Sequence, residues 1–255
     1  MQTAHVLSGG VRRAHSKEID GGNSPWRNLY LIGGVAALLT VALGMSEVLL
    51  EASNSALAGG PVTASEWFML LQTNRLLGLA LLEIFEVVLL PLGGLMFLAL
   101  YAALRRTSES LMAIAIACEF VSIAIFLSSN VALGMLNLSD QFAAATTDAQ
   151  RVLLMNTGQV LLTAWQGTGH FLTFFLGSLA GVLASAAMLR SKSFGWLTAG
   201  VGIAANLLGL PGPALGFLLW TINGLLVLLW SIFVGVRLLQ LARSPQIANT
   251  EEQIR

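Results

Sequence analysis

Six long apolar runs constrain this chain more than any other feature of its sequence. A helix rises about 1.5 Å per residue, so about 20 apolar residues cross a hydrocarbon core about 30 Å thick. The runs lack the alternation of barrel strands, and helices satisfy their own backbone hydrogen bonds in lipid. We predict spans at 29–50, 76–104, 111–136, 170–189, 194–210 and 214–241. The chain is therefore predicted to be an all-α, polytopic membrane helical bundle.

The composition agrees with this class. Of the 255 residues, 56% are hydrophobic and 10% are charged, and the mean hydropathy is +0.78, whereas soluble domains carry about 25% charged residues. This balance excludes most soluble enzymes and disordered chains, and the single cysteine excludes a disulfide scaffold. No polybasic stripe is present, so we exclude nucleic acid as a partner. The apolar runs predict the lipid bilayer as a partner. A second copy or another membrane protein is the further partner class.

The positions of lysine and arginine predict the orientation of the spans. If the N-terminus is cytoplasmic, eleven of the 13 basic residues fall in cytoplasmic segments, and only Arg75 and Arg151 fall outside. This bias follows the positive-inside rule, so we predict two cytoplasmic termini. The polar segments 1–28 and 242–255 become cytoplasmic tails. An alternative takes 31–43 as a late signal-peptide core cleaved after Ala58, although the apolar run is longer than such cores.

Two shorter apolar segments, near 63–75 and 150–165, are too short to cross a membrane. Each is predicted to be an interfacial helix, with Trp67 as an anchor in the first. If 152–165 joined the fourth span, the helix would be about 57 Å long. We therefore expect a break near 167–169 or a helix that projects into water. A re-entrant segment and a seventh span stay open as alternatives for 152–165.

Four stretches of the later spans carry a family resemblance. They read LALYAALRR at 98–106, FFLGSLAGVLASAAMLRS at 174–191, FGWLTAGVGIAANLLGL at 194–210 and LWSIFVGVR at 229–237. With them, the chain from Leu76 onward resembles the bacterial membrane proteins grouped as domain of unknown function 4386. One departure is KSFG at 192–195, where that family usually has a proline. The resemblance implies a six-helix bundle in a bacterial inner membrane with both ends in the cytoplasm, and it implies no activity.

Ionisable residues inside the predicted spans are the candidate functional residues, because charge within a bilayer is costly and usually has a role. They are Glu83, Glu86, Glu119 and His170, with Glu47 near an interface. Glu83 and Glu86 are three residues apart, so we expect their carboxyls on one helix face. No lysine or arginine lies in the apolar centres, so at least one carboxyl of the pair is predicted to hold a proton, bind a cation or open onto water. The alternative is structural, with each glutamate hydrogen-bonded to a neighbouring helix and His170 as a capping or interfacial residue.

Proline and glycine predict two irregular features of the spans. Pro91 is expected to kink the second span less than two turns after Glu86. Broken helices that carry polar groups are typical of transporter binding sites. Gly177 and Gly181 form a small-xxx-small pattern, which is predicted to pack closely against a neighbouring helix.

Other chemistries fit the sequence less well. His170 is the only histidine in the predicted spans and the Glu-x-x-His pattern of di-iron bundles is absent, so no haem, metal or other cofactor is predicted. Ser178 lies about 12 Å along the same predicted helix from His170, which is too far for a serine nucleophile and its base. Cys118 lies in an apolar run and is predicted to be buried and unreactive.

Three functions stay open from the sequence. The first is a small transporter that uses Glu83, Glu86 and Glu119 for proton or cation coupling, which requires that they face a shared cavity. The second is a structural or regulatory membrane protein that binds a partner through its tails or outer loops. The third is an intramembrane enzyme acting on a lipid or quinone, which requires His170 within reach of a glutamate. The lack of a repeat between the two halves of the chain weakens the first.

Overall fold

The computed structural model describes residues 26–53, 61–211 and 216–243, which form nine helices and contain no strand. In chain order the helices are α1 (Arg27–Ser53), α2 (Ala64–Thr73), α3 (Arg75–Leu81), α4 (Glu86–Ser129), α5 (Ala132–Ala144), α6 (Asp148–Trp165), α7 (Thr168–Leu189), α8 (Trp196–Gly209) and α9 (Phe217–Arg243). The predicted all-α class is confirmed for these residues. The predicted tails lie almost wholly outside them, as does the alternative cleavage position after Ala58.

Four stretches of the described chain are long and apolar enough to cross a membrane. They are Arg27–Leu50, Glu86–Ala144, Asp148–Leu189 and Leu218–Arg243. A shorter apolar helix, Trp196–Gly209, lies between the last two. Two of the four stretches greatly exceed the length that a bilayer requires, so their internal breaks determine how the chain is arranged.

Helix α4 is a hairpin of two arms, 86–107 and 109–129. Ser108 between the arms has the non-helical angles φ −154° and ψ 72°. A Cβ built on Gly94 in the first arm would lie 2.9 Å from Cδ1 of Ile123 in the second. Residues so distant in sequence can touch only if the arms lie side by side and antiparallel. Each arm is about 32 Å long, close to the thickness of a hydrocarbon core.

The apolar side chains form two separate cores. The bundle core lies among α1, α4, α7, α8 and α9, and its largest fully buried side chain is Trp230. The second cluster, which we call the cap core, joins α2, α5 and α6 to the adjoining breaks. It contains Ala64, Trp67, Phe68, Leu71, Leu82, Val131, Ala132, Met135, Leu162 and Trp165. The molecule is thus a long-helix bundle that carries a small helical cap at one end.

Polar contacts fasten the cap helices to one another. The backbone N–H of Ala64 donates to Oε1 of Gln159, which joins α2 to α6 (3.1 Å). The hydroxyl of Ser139 donates to the carbonyl of Phe68, which joins α5 to α2 (3.1 Å). Helices α2 and α6 occupy most of the segments that the sequence predicts to be interfacial, 63–75 and 150–165.

Basic residues gather at the end of the bundle opposite the cap. Three contacts hold this basic end together, joining Arg27 to the carbonyl of Ala242, Arg105 to the ring of Trp26 and Arg237 to the carbonyl of Ser193. They bring the start of α1, the end of the first arm of α4, the α7–α8 connection and the end of α9 to one level. The guanidinium carbon of Arg105 lies 4.5 Å from the Trp26 ring centroid, a distance typical of cation–π contacts.

Candidate functional site

Three helix breaks meet where the bundle joins the cap. They lie at 82–85 between α3 and α4, at 130–131 between α4 and α5, and at 166–167 between α6 and α7. The amide of Asn130 donates to the carbonyls of Leu82 (3.1 Å) and Glu83 (3.4 Å), which ties the first two breaks together. A Cβ on Gly169 would lie 3.4 Å from Cβ of Ser129, which brings the third break beside the second. The third break lies next to the 167–169 segment where the sequence predicts one.

Two predicted spans are therefore interrupted. The segment 76–104 was expected to be one helix, but α3 ends at Leu81 and α4 begins at Glu86. The segment 111–136 was also expected to be continuous, but it breaks after Ser129. Uniform apolar composition cannot reveal such breaks, because the same residues are favourable in one long helix and in two short ones.

Glu83 lies in the first break and outside any helix. Its φ of 60° is the one positive value among the described non-glycine residues, and this left-handed conformation costs an L-residue about 1–2 kcal/mol. Glu86, by contrast, is the first residue of α4. The prediction that the two carboxyls share a helix face is wrong, because a three-residue spacing defines a face only where the chain stays helical.

The backbone of the first break brings Glu83 to His170. Oε2 of Glu83 lies 3.5 Å from Nδ1 of His170, the third residue of α7. The two side chains are 20% and 12% exposed, whereas Oε2 of Glu83 itself is buried. The sequence identified each residue as a candidate, but nothing in their spacing indicated that they meet.

Aromatic rings pack beside His170. The ring of His170 lies 5.4 Å from that of Trp165 and 4.9 Å from that of Phe174, measured between centroids. Trp220 of α9 follows at 4.7 Å from Phe174. Sequence reasoning missed these three residues. The one signal available was the i, i+4 spacing of His170 and Phe174, which places them on one helix face.

Glu119 lies near the centre of the bundle and apart from this pair. It is 6% exposed and belongs to the second arm of α4. Its carboxyl oxygens lie 3.4 Å from the position a Cβ would take on Gly93 and 3.9 Å from that position on Gly177. Within the described part of the chain, no hydrogen bond or ion pair reaches Glu119. A buried carboxyl thus occupies a space that two glycines leave open.

A seam between the second arm of α4 and helix α7 connects the two acidic positions. The hydroxyl of Ser122 donates to the backbone carbonyl of Thr173 (2.7 Å). The hydroxyl of Thr173 donates in turn to the backbone carbonyl of Gly169 (3.0 Å). Gly177, level with Glu119, lies seven residues and about 10 Å along α7 from His170. Small and hydroxyl-bearing residues therefore line the seam from the bundle centre to the Glu83–His170 pair.

The remaining sequence candidates occupy different places. Glu86 and Glu47 are half-buried, on α4 and α1. Pro91 lies inside α4 among helical residues, so the 82–85 break is the interruption nearest to it, and a kink at Pro91 itself stays a prediction. Gly181 faces the side-chain amide of Asn206 on α8, whereas Gly177 faces the second arm of α4.

No group of three or more His, Cys, Asp or Glu side chains in the described residues is placed to hold a metal ion. The chemistry at hand is therefore that of a carboxyl–imidazole pair and one isolated carboxyl. In the comparisons with known proteins, no family model, no curated protein and no solved structure matches this chain.

Proposed function

We propose that this protein is a small six-span transporter that couples the movement of a solute to protons through Glu119 and the Glu83–His170 pair. The observation that carries the proposal is the position of Glu119. A buried carboxyl without a partner in the described residues is costly to retain, and it lies on the seam that ends at the pair. Three helix breaks at that end are a further feature of transporter binding sites.

The basic end supports the six-span arrangement within the proposal. The two arms of α4 count as two spans, and α1, α7, α8 and α9 supply the other four. The contacts at the basic end bring the first and last of these helices to the level of the α4 and α7–α8 turns. An even number of crossings with arginines at that end gives two cytoplasmic termini in an inner membrane.

Proton movement in this scheme has two stations. In this scheme the Glu83–His170 pair, about one arm length from the basic end, lies at the outer boundary of the hydrocarbon. Glu119 lies 11 residues from Ser108, about 16 Å into the membrane. The roughly 10 Å between the stations exceeds direct hydrogen-bond reach, so water along the Ser122–Thr173 seam carries the proton. No cofactor takes part.

Proton flux into liposomes tests the proposal. We expect the reconstituted wild type, with a small-molecule extract of cells added outside the liposomes, to carry protons under a potassium–valinomycin potential, read with an internal pH dye. Glu119→Gln should lower the initial rate roughly tenfold or more, because the amide cannot take up and release a proton. The matched control is Glu109→Gln, an exposed position beside the α4 turn. Wild-type flux equal to that of empty liposomes, or full flux in Glu119→Gln, would contradict the proposal.

The distance between His170 and Glu83 favours a second candidate, an intramembrane enzyme that acts on a lipid or quinone. At 3.5 Å, imidazole and carboxyl are close enough to act as base and acid. The two candidates differ in which variant abolishes activity. Turnover of lipid extract or of a quinone should disappear in His170→Gln and persist in Glu119→Gln, whereas proton transport requires Glu119.

Family membership and a third candidate function are also proposed. On the four stretches between residues 98 and 237, the chain is proposed to be a member of the group named domain of unknown function 4386. If flux and turnover both prove absent, the alternative is a structural or regulatory protein that binds a partner through its tails or outer loops. Isolation of the protein repeatedly without a partner would count against that alternative.

A further inference from the structure

We infer that a groove between α1 and the first arm of α4 binds one anionic phospholipid, with an acyl chain along the groove and the phosphate at its mouth. This inference goes beyond the proposed function. It shares with that function only the orientation of the spans, in which the basic end faces the cytoplasm, and it requires no transport.

The walls of this α1–α4 groove are wholly apolar. The groove has a volume of about 310 Å³ and is lined by residues of α1 and α4, namely Leu31, Ile32, Val35, Ala36, Leu39, Leu92 and Leu95. Most of these side chains are exposed, although all are hydrophobic. Because water finds no hydrogen-bond partner on such walls, a hydrocarbon chain is the occupant that fits them.

Two contacts fix how the walls of the groove are aligned. Helix α1 leaves the basic end of the bundle, and the first arm of α4 returns to it. A Cβ on Gly33 would lie 3.1 Å from the carbonyl oxygen of Leu95, and the Arg105 guanidinium lies over the ring of Trp26. The two helices are therefore antiparallel neighbours from the basic end to the groove.

Polar side chains form the mouth of the α1–α4 groove. Asn28 precedes Leu39 by 11 residues and Arg106 follows Leu95 by 11, so each lies three turns from a groove residue on the same helix face. Eleven residues rise about 16 Å, which is about half the thickness of a hydrocarbon core. The groove therefore reaches as deep as the acyl chains of one leaflet.

The charge at the mouth selects for an anionic headgroup. Arg106 and Asn28 are exposed, and within the described residues no hydrogen bond or ion pair engages either side chain. Glu109, an exposed carboxylate near the α4 turn, forms no ion pair within that same part of the chain, and Arg105 adds a second positive charge beside the mouth. A guanidinium and an amide supply N–H groups whose hydrogen bonds a phosphate accepts. Basic residues at the cytoplasmic boundary also attract anionic lipids.

A phospholipid fits the groove better than a second copy of this chain does. Two copies inserted in the same orientation would bring their basic ends to one level, so the second copy would place its own arginines near Arg106. Like charges at close range repel, whereas a lipid phosphate complements the guanidinium. The apolar walls are compatible with either occupant, so the charge at the mouth decides between them.

Native mass spectrometry of the full chain tests the inference. The wild type in detergent is mixed with equal amounts of phosphatidylglycerol and phosphatidylcholine that carry the same acyl chains. We expect it to retain one phosphatidylglycerol saturably. Phosphatidylcholine should bind about fivefold more weakly, because one basic residue near a membrane surface contributes about that preference for an anionic lipid.

Two variants locate the binding, and each has a matched control. Arg106→Gln should weaken phosphatidylglycerol binding about fivefold, whereas Arg106→Lys should preserve it. Val35→Trp fills the groove and should weaken the binding of both lipids about tenfold. The controls are Arg190→Gln, at the exposed end of α7, and Val236→Trp, because Val236 and Val35 are 43% and 44% exposed. Thermal melting shows whether each variant is folded, and if one is not, the other decides the question.

Three results would overturn the inference. They are equal retention of the two lipids by the wild type, wild-type affinity in both Arg106→Gln and Val35→Trp, and a dimer without retained lipid that Val35→Trp abolishes, which would assign the groove to a second copy. Failure of the proposed function is distinguishable from these results, because lipid retention is measured without flux. Glu119-dependent proton flux without retained phosphatidylglycerol removes the lipid site alone, whereas retained lipid without such flux removes proton coupling alone.

Discussion

Glycine at single positions lets polar side chains enter the interior of the bundle. On α7, Gly181 lies against the side chain of Asn206, whose amide donates to the carbonyl of Gly202 (2.7 Å). One turn earlier, Gly177 faces Ser122 and Glu119. A Cβ at either position would enter space that a polar group already occupies, so the missing side chain determines which helices meet.

Substitution of Gly181 by alanine tests this role. The added methyl would overlap the Asn206 side chain, and the overpacking should lower the free energy of unfolding by about 1–3 kcal/mol. Gly200→Ala is the matched control, because nothing lies within 4 Å of its Cβ position and alanine favours a helix. Thermal melting in one detergent compares the two variants. Equal melting temperatures would show that the α7–α8 contact does not depend on Gly181.

Residue identity was more predictable than residue contact. Glu83, Glu119 and His170 could be selected from the sequence because ionisable groups are rare within apolar runs. The meeting of Glu83 with His170 could not, since it depends on a left-handed backbone at Glu83 and on two breaks joined by Asn130. Helical periodicity assumes regular angles and cannot indicate the residue at which a chain departs from them.

At the scale of helices, α2 and α6 of the cap begin with the same capping box. In α2, the backbone N–H groups of Val62 and Thr63 donate to Oε2 of Glu66 at 2.7 and 2.9 Å. In α6, those of Thr146 and Thr147 donate to Oε1 of Gln150. The two helix starts differ chiefly in one group, which is a carboxylate in α2 and an amide in α6.

Acidification should therefore fray the start of α2 and spare that of α6. The backbone hydrogen bonds from Thr63 and Val62 hold the pKa of Glu66 below its ordinary value. A carboxyl whose pKa is lower in the folded state than in the unfolded state stabilises the fold at pH values above its unfolded-state pKa. This stabilisation is lost as the pH falls through its folded-state pKa. Amide exchange, corrected for intrinsic rates, should lose protection at Glu66 but not at Gln150 between about pH 6 and pH 3.

The variant Glu66→Gln serves as the control for this experiment. It gives α2 the same amide that caps α6, so the pH dependence at the start of α2 should disappear. Parallel loss of protection at both helix starts would instead indicate that the whole cap unfolds in acid.

Helix boundaries could be predicted less well than helix positions. The sequence predicted short helices near α2 and α6, because the apolar segments there are too short to cross a membrane. It also predicted a break before α7, because glycine interrupts the apolar run at 167–169. It missed the break at 130–131, where Asn130 ends α4 and accepts a hydrogen bond from the backbone of Ala132 (3.1 Å). An asparagine in an apolar run reads equally well as a buried amide within a helix.

At the scale of the molecule, charge separates the two ends of the bundle. Arginines and their backbone partners form the basic end, and Glu83 with His170 lies at the other. The basic bias along the sequence predicted this separation, because every second connection is rich in arginine or lysine. Four stretches satisfy length and composition, and the six-span count belongs to the proposal, which divides α4 at Ser108 and includes the short α8.

Single-cysteine labelling tests the topology. With Cys118 replaced by alanine, we expect Lys192→Cys at the basic end to react with an impermeant maleimide only in inverted membrane vesicles. Thr146→Cys, an exposed position in the cap, should react only in intact spheroplasts. Labelling of both positions from one side would contradict the single crossing, by α7, that the proposal has between the cap and the basic end.

The contact between Arg27 and the carbonyl of Ala242, 3.1 Å long, joins the first turn of α1 to the last turn of α9. The first and last helices of the bundle therefore lie side by side and are joined by this hydrogen bond, so the helices form a closed ring. A circularly permuted chain, with α1 linked to α9 and new ends between α5 and α6, would retain every helix-to-helix contact of the bundle. The order in which the helices are synthesised is thus separable from the arrangement that they reach.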